Sequence, residues 1–294
     1  MSEGDEAEDA GLSWRRTWVD ERPAYYGTAG QGLPVLFLHG WGLGRRSYRE
    51  AIARLVEMGC RVYAPNLPGF GRTPELPAAQ FTFKGYADWV LGFLDALGVE
   101  ERVFVVGHSF GGGVAIKTAH RAPGRVRTLV LVNSVGGSTW ASAAGLQPMS
   151  ERPLWDWGIK FPSDVWPLPQ AVRVVPAVLE EAVPNLLRNP GAVWRVGQLA
   201  RRADLTIELE DLKAAEVPVV VIWSERDGVI PRASFDALCR ALGTDGEVID
   251  GSHSWLLADP DAFGQVITNH VQAASLARDL ETVRPRRLRT RTAR

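Results

Sequence analysis

The chain has 294 residues, 46% of them hydrophobic and 23% charged, the composition of a soluble globular protein with a sizeable core. The formal net charge of -1 excludes an overall attraction to nucleic acid. No apolar stretch is long enough to span a membrane, and the N-terminus lacks the basic and apolar regions of a signal peptide, so cytoplasmic residence is expected.

The near-zero charge hides an asymmetry. Residues 1–12 carry Glu3, Asp5, Glu6, Glu8 and Asp9, and residues 279–294 carry Arg284, Arg286, Arg287, Arg289, Arg291 and Arg294. Both ends read as flexible charged tails. Residues 17–27 then read as a short strand or hairpin. Val35–Leu38, Arg61–Pro65, Val103–Val106, Thr128–Val132, Val217–Trp223 and Glu247–Ile249 are continuous apolar runs, which fit strands buried on both faces of a parallel sheet. Helical patterns lie between them: Ser47–Glu57 with Ser47 as N-cap, Lys84–Leu97 closed by Gly98, Phe110–His120, Ala233–Leu242 and Pro260–Ala274. The alternation predicts βαβ units in an α/β fold.

Residues 136–212 break that rhythm. They are rich in Trp and Pro, and their amphipathic pieces, Gln170–Ala182 and Ala192–Ala203, are short. A structureless loop of this length does not suit a compact domain, so the segment is expected to be a helical lid. It divides the core into residues 13–135 and 213–278. Cys60 and Cys239 show no metal spacing and are expected to be buried thiols.

Gly107-His108-Ser109-Phe110-Gly111 has the form G-x-S-x-G, between a buried strand and a glycine-rich helix start. A sharp turn there exposes the serine oxygen at the carboxyl end of the sheet. Serine needs a base. Of five histidines, His120 and His270 lie on helices, His108 sits inside the elbow and is expected to point elsewhere, and His39 is expected to brace its loop. His253, in a loop after the last strand, is the base candidate. Asp227, in a loop after Val217–Trp223, is its carboxylate candidate, with Glu225 as local rival and Asn133 as a poorer partner. The order Ser, Asp, His suits a nucleophile elbow of this kind. The backbone N–H of Phe110 opens a helix and is one oxyanion donor, and the N–H of Trp41 in His39-Gly40-Trp41-Gly42 is the second. Gly40 and Gly42 would permit unusual backbone angles there.

Together these pieces resemble the α/β-hydrolase superfamily, most closely its capped serine esterase and carbon–carbon bond hydrolase branch. The resemblance rests on VLFLHGWG, APNLPGFGRT, VVGHSFGG, VLVNS, VIWSERDGVIP and DGSHSW, from about Gly32 to Val271. It implies an α/β-hydrolase fold, with a mostly parallel eight-stranded sheet flanked by helices and a helical lid insertion. It also implies a triad of Ser109, Asp227 and His253, with oxyanion donors at Trp41 and Phe110 and motif support from His39, Gly40, Gly42, Gly107 and Gly111. Dehalogenases and epoxide hydrolases of this fold use an aspartate nucleophile, which Ser109 argues against. The carbon–carbon hydrolases carry a lid arginine for a substrate carboxylate, and Arg173, Arg195, Arg201 and Arg202 are the candidate counterparts.

The function expected first is hydrolysis of a carboxylic ester of a small apolar molecule, with no metal or organic cofactor. The lid tryptophans suggest an apolar or aromatic acyl pocket, and lid core is their equal alternative. Carbon–carbon bond hydrolysis with the same triad, and ligand sensing with slow turnover, are the competing readings.

Overall fold

A computed structural model describes residues 6–9, 11–142, 145–153, 156 and 168–283. The ends of both expected tails (1–5 and 284–294) lie outside the described residues, as do Trp155, Trp157 and Trp166 of the lid.

Eight strands form the central sheet: β2 (Leu12–Val19), β3 (Arg22–Ala29), β4 (Leu33–Leu38), β5 (Cys60–Pro65), β6 (Val103–His108), β7 (Val126–Val132), β10 (Val219–Ser224) and β11 (Glu247–Ile249). A short edge strand, β1 (Glu6–Asp9), pairs with β2. The acidic segment expected as a tail therefore contributes to the sheet. The spatial order is β1-β2-β3-β5-β4-β6-β7-β10-β11. Pairing is antiparallel up to β5 and parallel from β5 to β11.

The apolar runs are continuous because the parallel strands feed two cores. Leu36, Val105, Leu129 and Val221 point into one, with α2 (Phe83–Ala96), α3 (Phe110–Arg121) and α7 (Arg232–Leu242). Val35, Phe37, Phe104, Val106, Val130 and Ile222 point into the other, with α1 (Arg49–Glu57) and α9 (Pro260–Val283). Alternate residues of one strand face opposite sides, so both sets must be apolar.

Local details depart from expectation. Ser47 does not cap α1: its hydroxyl donates to Ala177 O at 2.8 Å and to the Glu181 carboxylate at 3.0 Å. Thr82 caps α2 instead, accepting from Gly85 N at 3.1 Å. Between β7 and β10 lie a hairpin, β8 (Thr139–Ser142) with β9 (Gly145–Pro148), and the helices α4 (Leu168–Arg188), α5 (Pro190–Arg201) and α6 (Thr206–Ala214). The last belongs to the core: Leu209 and Leu212 are buried with α3 and α7. α4 runs through Pro176 and Pro184, a residue type that normally breaks a helix. α8 (Trp255–Ala258) is a single turn before α9. Cys60 and Cys239 are buried free thiols. Among the described residues, no helix is long and apolar enough to cross a membrane.

Candidate active site

Five neighbouring parallel strands, β4, β6, β7, β10 and β11, end on one edge of the sheet, the edge where α/β folds place ligands. His39, Ser109, Asn133, Asp227 and His253 follow them in that spatial order. Residues far apart in sequence thus meet because their strands are neighbours.

Ser109 sits on the turn from β6 to α3 with φ 53° and ψ -117°, a conformation that costs a non-glycine residue of order 1–3 kcal/mol. The turn closes so tightly that a Cβ on Gly107 would lie 2.6 Å from Gly111 O. Phe110 is the first residue of α3, so its N–H is among those without an intrahelical partner, at the positive end of the helix dipole.

His253 Nδ1 lies 2.8 Å from Asp227 Oδ2. A carboxylate accepts, so Nδ1 carries the proton and Nε2 is left with its lone pair. Asp227 is held from four directions. Its Oδ1 accepts from Val229 N at 2.7 Å and Ile230 N at 2.8 Å, and its Oδ2 from Asn133 Nδ2 at 2.5 Å as well as from His253. Glu225, the local rival, is exposed and lies off this network.

Asn133 enters as the orienter of the carboxylate rather than as an alternative to it. Its side-chain oxygen accepts from Trp255 Nε1 at 3.0 Å, which leaves its amide to donate to Asp227 and to Ser224 Oγ, 2.6 Å away. Its φ of 45° is one that Asn tolerates better than most residues. The Ser224 hydroxyl in turn donates to Ser252 O at 2.8 Å and ties the Asp227 and His253 loops together.

His108 does not point away from the site. Its Nε2 donates to His253 O at 3.0 Å, and its Nδ1 accepts from the Tyr48 hydroxyl at 2.8 Å. The same hydroxyl accepts from Gly40 N at 3.1 Å. Burial, with the nearby His253 and His39, holds His108 well below the usual histidine range, so the ring is neutral. Tyr48 and His108 therefore connect the His39-Gly40 loop, the serine turn and the His253 loop. Neither was legible as functional: tyrosine in a helix-start segment reads as core.

His39 braces its loop. Nε2 accepts from Leu67 N at 2.8 Å and Nδ1 donates to Gly40 O at 2.9 Å, and burial pushes its pKa down to about 4. Of the two glycines of that loop, only Gly42 has a positive φ, 76°. Gly40 is required for space, since a Cβ there would sit 3.4 Å from Ser109 Cβ and 3.0 Å from His108 Nδ1. His120 and His270 pair with Asp211 and Glu247, remote from this edge.

Ser109, His253, His108, Gly40 and Trp41 line a cavity of about 300 Å³. Tyr48 and Ser254 also line it, and the remaining walls are aliphatic: Leu43 and Val229 from the core, Val178, Ala182 and Leu186 from α4, and Val193 from α5. The pocket is apolar, as expected, but its aromatic residues, Trp41 and Tyr48, come from the core: among the described lid tryptophans, Trp140 packs near Arg152 and Trp194 is exposed. None of the four candidate lid arginines lines this cavity. Arg195 is paired with Glu75 at 2.6 Å, Arg173 reaches Ala258 O at 3.3 Å, Arg201 reaches Arg152 O at 3.2 Å, and Arg202 lines a separate crevice. The helices α4 and α5 are fastened to the core loops: Trp41 Nε1 donates to Val193 O at 2.7 Å, Asn185 Nδ2 to Gly42 O at 3.0 Å, and Ser47 N to Glu181 at 3.0 Å. Burial raises the Glu181 carboxyl above its ordinary range despite those donors. Among the described residues, no group of three or more His, Cys, Asp or Glu side chains could hold a metal ion.

Comparison with known proteins agrees with the fold. A family described as "alpha/beta hydrolase fold" matches residues 34–160. A Mycobacterium phage D29 protein, provisionally named a non-heme haloperoxidase, is 28% identical over 82% of this chain and 88% of its own length. A 2-hydroxymuconate semialdehyde hydrolase of Pseudomonas putida is 38% identical, over 40% of this chain and 42% of its own. Among solved structures, an esterase from Exiguobacterium antarcticum superposes with a TM-score of 0.69 at 19% identity, over 87% of this chain and 98% of that one.

Proposed function

Because this chain has the α/β-hydrolase fold, we propose that it is a serine hydrolase that cleaves a carboxylic ester of a small to medium apolar substrate through an acyl-enzyme on Ser109. The observation that carries this reading is the 2.8 Å contact between His253 Nδ1 and Asp227, beside Ser109 in one aliphatic cavity.

The geometry supplies each step with a group. His253 Nε2 takes the Ser109 proton as the oxygen attacks the ester carbonyl. The resulting imidazolium is stabilised by Asp227, whose orientation Asn133 and two backbone amides hold. The amides of Phe110 and Trp41 receive the oxyanion, and losing one such donor typically costs about a hundred- to a thousand-fold in rate. His253 then protonates the leaving alcohol, and as base it directs water onto the acyl-enzyme. Leu43, Val178, Ala182 and Val193 give an acyl chain an apolar wall with no charge to bind.

Carbon–carbon bond hydrolysis is the second reading, favoured by the Pseudomonas relative's name. It needs a cation for a substrate carboxylate, and no lid arginine faces the cavity among the described residues. The test is a fluorophosphonate probe followed by an acyl-chain panel of nitrophenyl esters and a vinylogous diketone. Labelling confined to Ser109 with ester turnover supports the reading. Labelling elsewhere or none overturns the nucleophile, and faster turnover of the diketone than of any ester selects the second reading.

A further inference from the structure

The helix α4 is built inside out for a surface helix. Val172, Leu179, Val183 and Leu187 recur at spacings that place them on one face, together with Leu186. These five are between 43% and 77% exposed. The opposite face buries Val174, the Glu181 carboxyl and the Asn185 amide against the core. Surface helices ordinarily bury the apolar stripe and expose the polar one. A contiguous apolar face turned outward marks a surface made to be covered.

We infer that this face of α4 docks on an anionic lipid–water interface. Three observations choose that occupant. Arg173 is exposed on the flank of the stripe, while the helix's exposed acid, Glu180, is paired with Arg49 at 2.6 Å. Trp194 is 60% exposed just beyond, at the start of α5. Leucine and valine on one face, a flanking arginine and a tryptophan are what settles a helix at a headgroup boundary, where an arginine stem buries and its charge stays with the phosphates. Finally, Leu186 belongs both to the stripe and to the lining of the cavity that holds Ser109. Docking brings the cavity mouth against the apolar phase, from which an acyl substrate enters without crossing water. A second copy of the chain seated on the same stripe would close that mouth. The delivery of substrate rests on the ester-hydrolase reading, whereas the docking itself does not.

The experiment is flotation of the full chain with vesicles of phosphatidylcholine alone and of phosphatidylcholine mixed with phosphatidylglycerol, read without any turnover. Wild type and Ser109→Ala should float with the mixed vesicles, less so at high salt. Leu179→Ser with Leu187→Ser should lower partitioning at least about tenfold, since two leucines lose their burial in the acyl phase. That variant should hydrolyse a short, monomeric nitrophenyl ester like wild type, because neither leucine lines the cavity. Arg173→Gln should reduce the preference for phosphatidylglycerol. The inference is overturned if wild type ignores both vesicles or if the leucine variant floats like wild type. It is also overturned if wild type is a dimer by light scattering that the leucine variant dissociates, which assigns the face to a second copy. If vesicle binding follows the expected pattern and no ester is turned over, the hydrolase reading falls and the docking surface stands.

Discussion

The Tyr48 hydroxyl lies 2.8 Å from His108 Nδ1, and that contact joins loops that follow three different strands. On one side the hydroxyl accepts from Gly40 N, on the other the imidazole donates to His253 O. Loops are the mobile part of an α/β fold, so reacting groups carried on separate loops need such ties.

Removing the hydroxyl should loosen the tie without emptying the site. Tyr48→Phe leaves Gly40 N–H and His108 Nδ1 buried without this partner, at about 1–3 kcal/mol. We expect kcat for a nitrophenyl ester to fall roughly tenfold at nearly constant KM, because the misalignment acts on the reacting groups rather than on the aliphatic wall. Steady-state kinetics with a thermal midpoint checks this. A raised KM at unchanged kcat would place Tyr48 in substrate binding instead.

Asp227→Asn should lower kcat by roughly ten-thousand-fold, because an amide facing His253 Nδ1 favours the wrong imidazole tautomer. The exposed Glu225→Gln should change kcat little. Comparable losses in the two variants would mean that the carboxylates share the role.

Ser109→Gly should be inactive and yet more stable than wild type. The backbone at φ 53° and ψ -117° is strained for serine and accessible to glycine. Relief of about 1–3 kcal/mol should raise the thermal midpoint by several degrees. A midpoint at or below that of wild type would show that the surrounding packing removes the strain.

Acid stability should carry the signature of His39. Its folded pKa of about 4 lies below the unfolded value near 6.5. The folded state therefore binds fewer protons than the unfolded one between those limits. The contribution is fully present above pH 6.5 and is lost as pH falls toward 4. His39→Gln should flatten the fall in urea midpoint over that window. The raised Glu181 carboxyl acts in the opposite sense, gaining stability as pH falls through its raised value, and it is common to both proteins. An unchanged slope in the variant would remove His39 from the account.

The sheet and the serine turn were legible because each rests on a local pattern. Val103–Val106 is apolar without interruption since its residues feed two cores in alternation, and a glycine must stand where Gly107 meets Gly111. The pairing of Asp227 with His253 was legible from order along the chain. Asn133 was legible only as a poorer partner, and its orienting role, with Trp255 and Tyr48, was not, because these contacts span between 60 and 122 residues of sequence. α4 extends past the expected Gln170–Ala182 segment to Arg188, through Pro184, and the bonds from Ser47, Gly71 and Asn185 fasten the helix to the core at several points along its length. The apolar pocket was legible, but not which residues line it, because tryptophan content says nothing of direction: Trp194 faces out, and the lid side of the wall is valine, alanine and leucine.

The His253 loop is fixed by its main chain as well as by its ring. Ser224 Oγ holds Ser252 O, and His108 Nε2 holds His253 O. A glycine at position 253 would therefore leave a vacant slot of preserved outline, with Asp227 still aimed into it. Free imidazole diffusing into that slot finds the partner the ring had, so the proposed base is in effect a replaceable part set in a lasting mould.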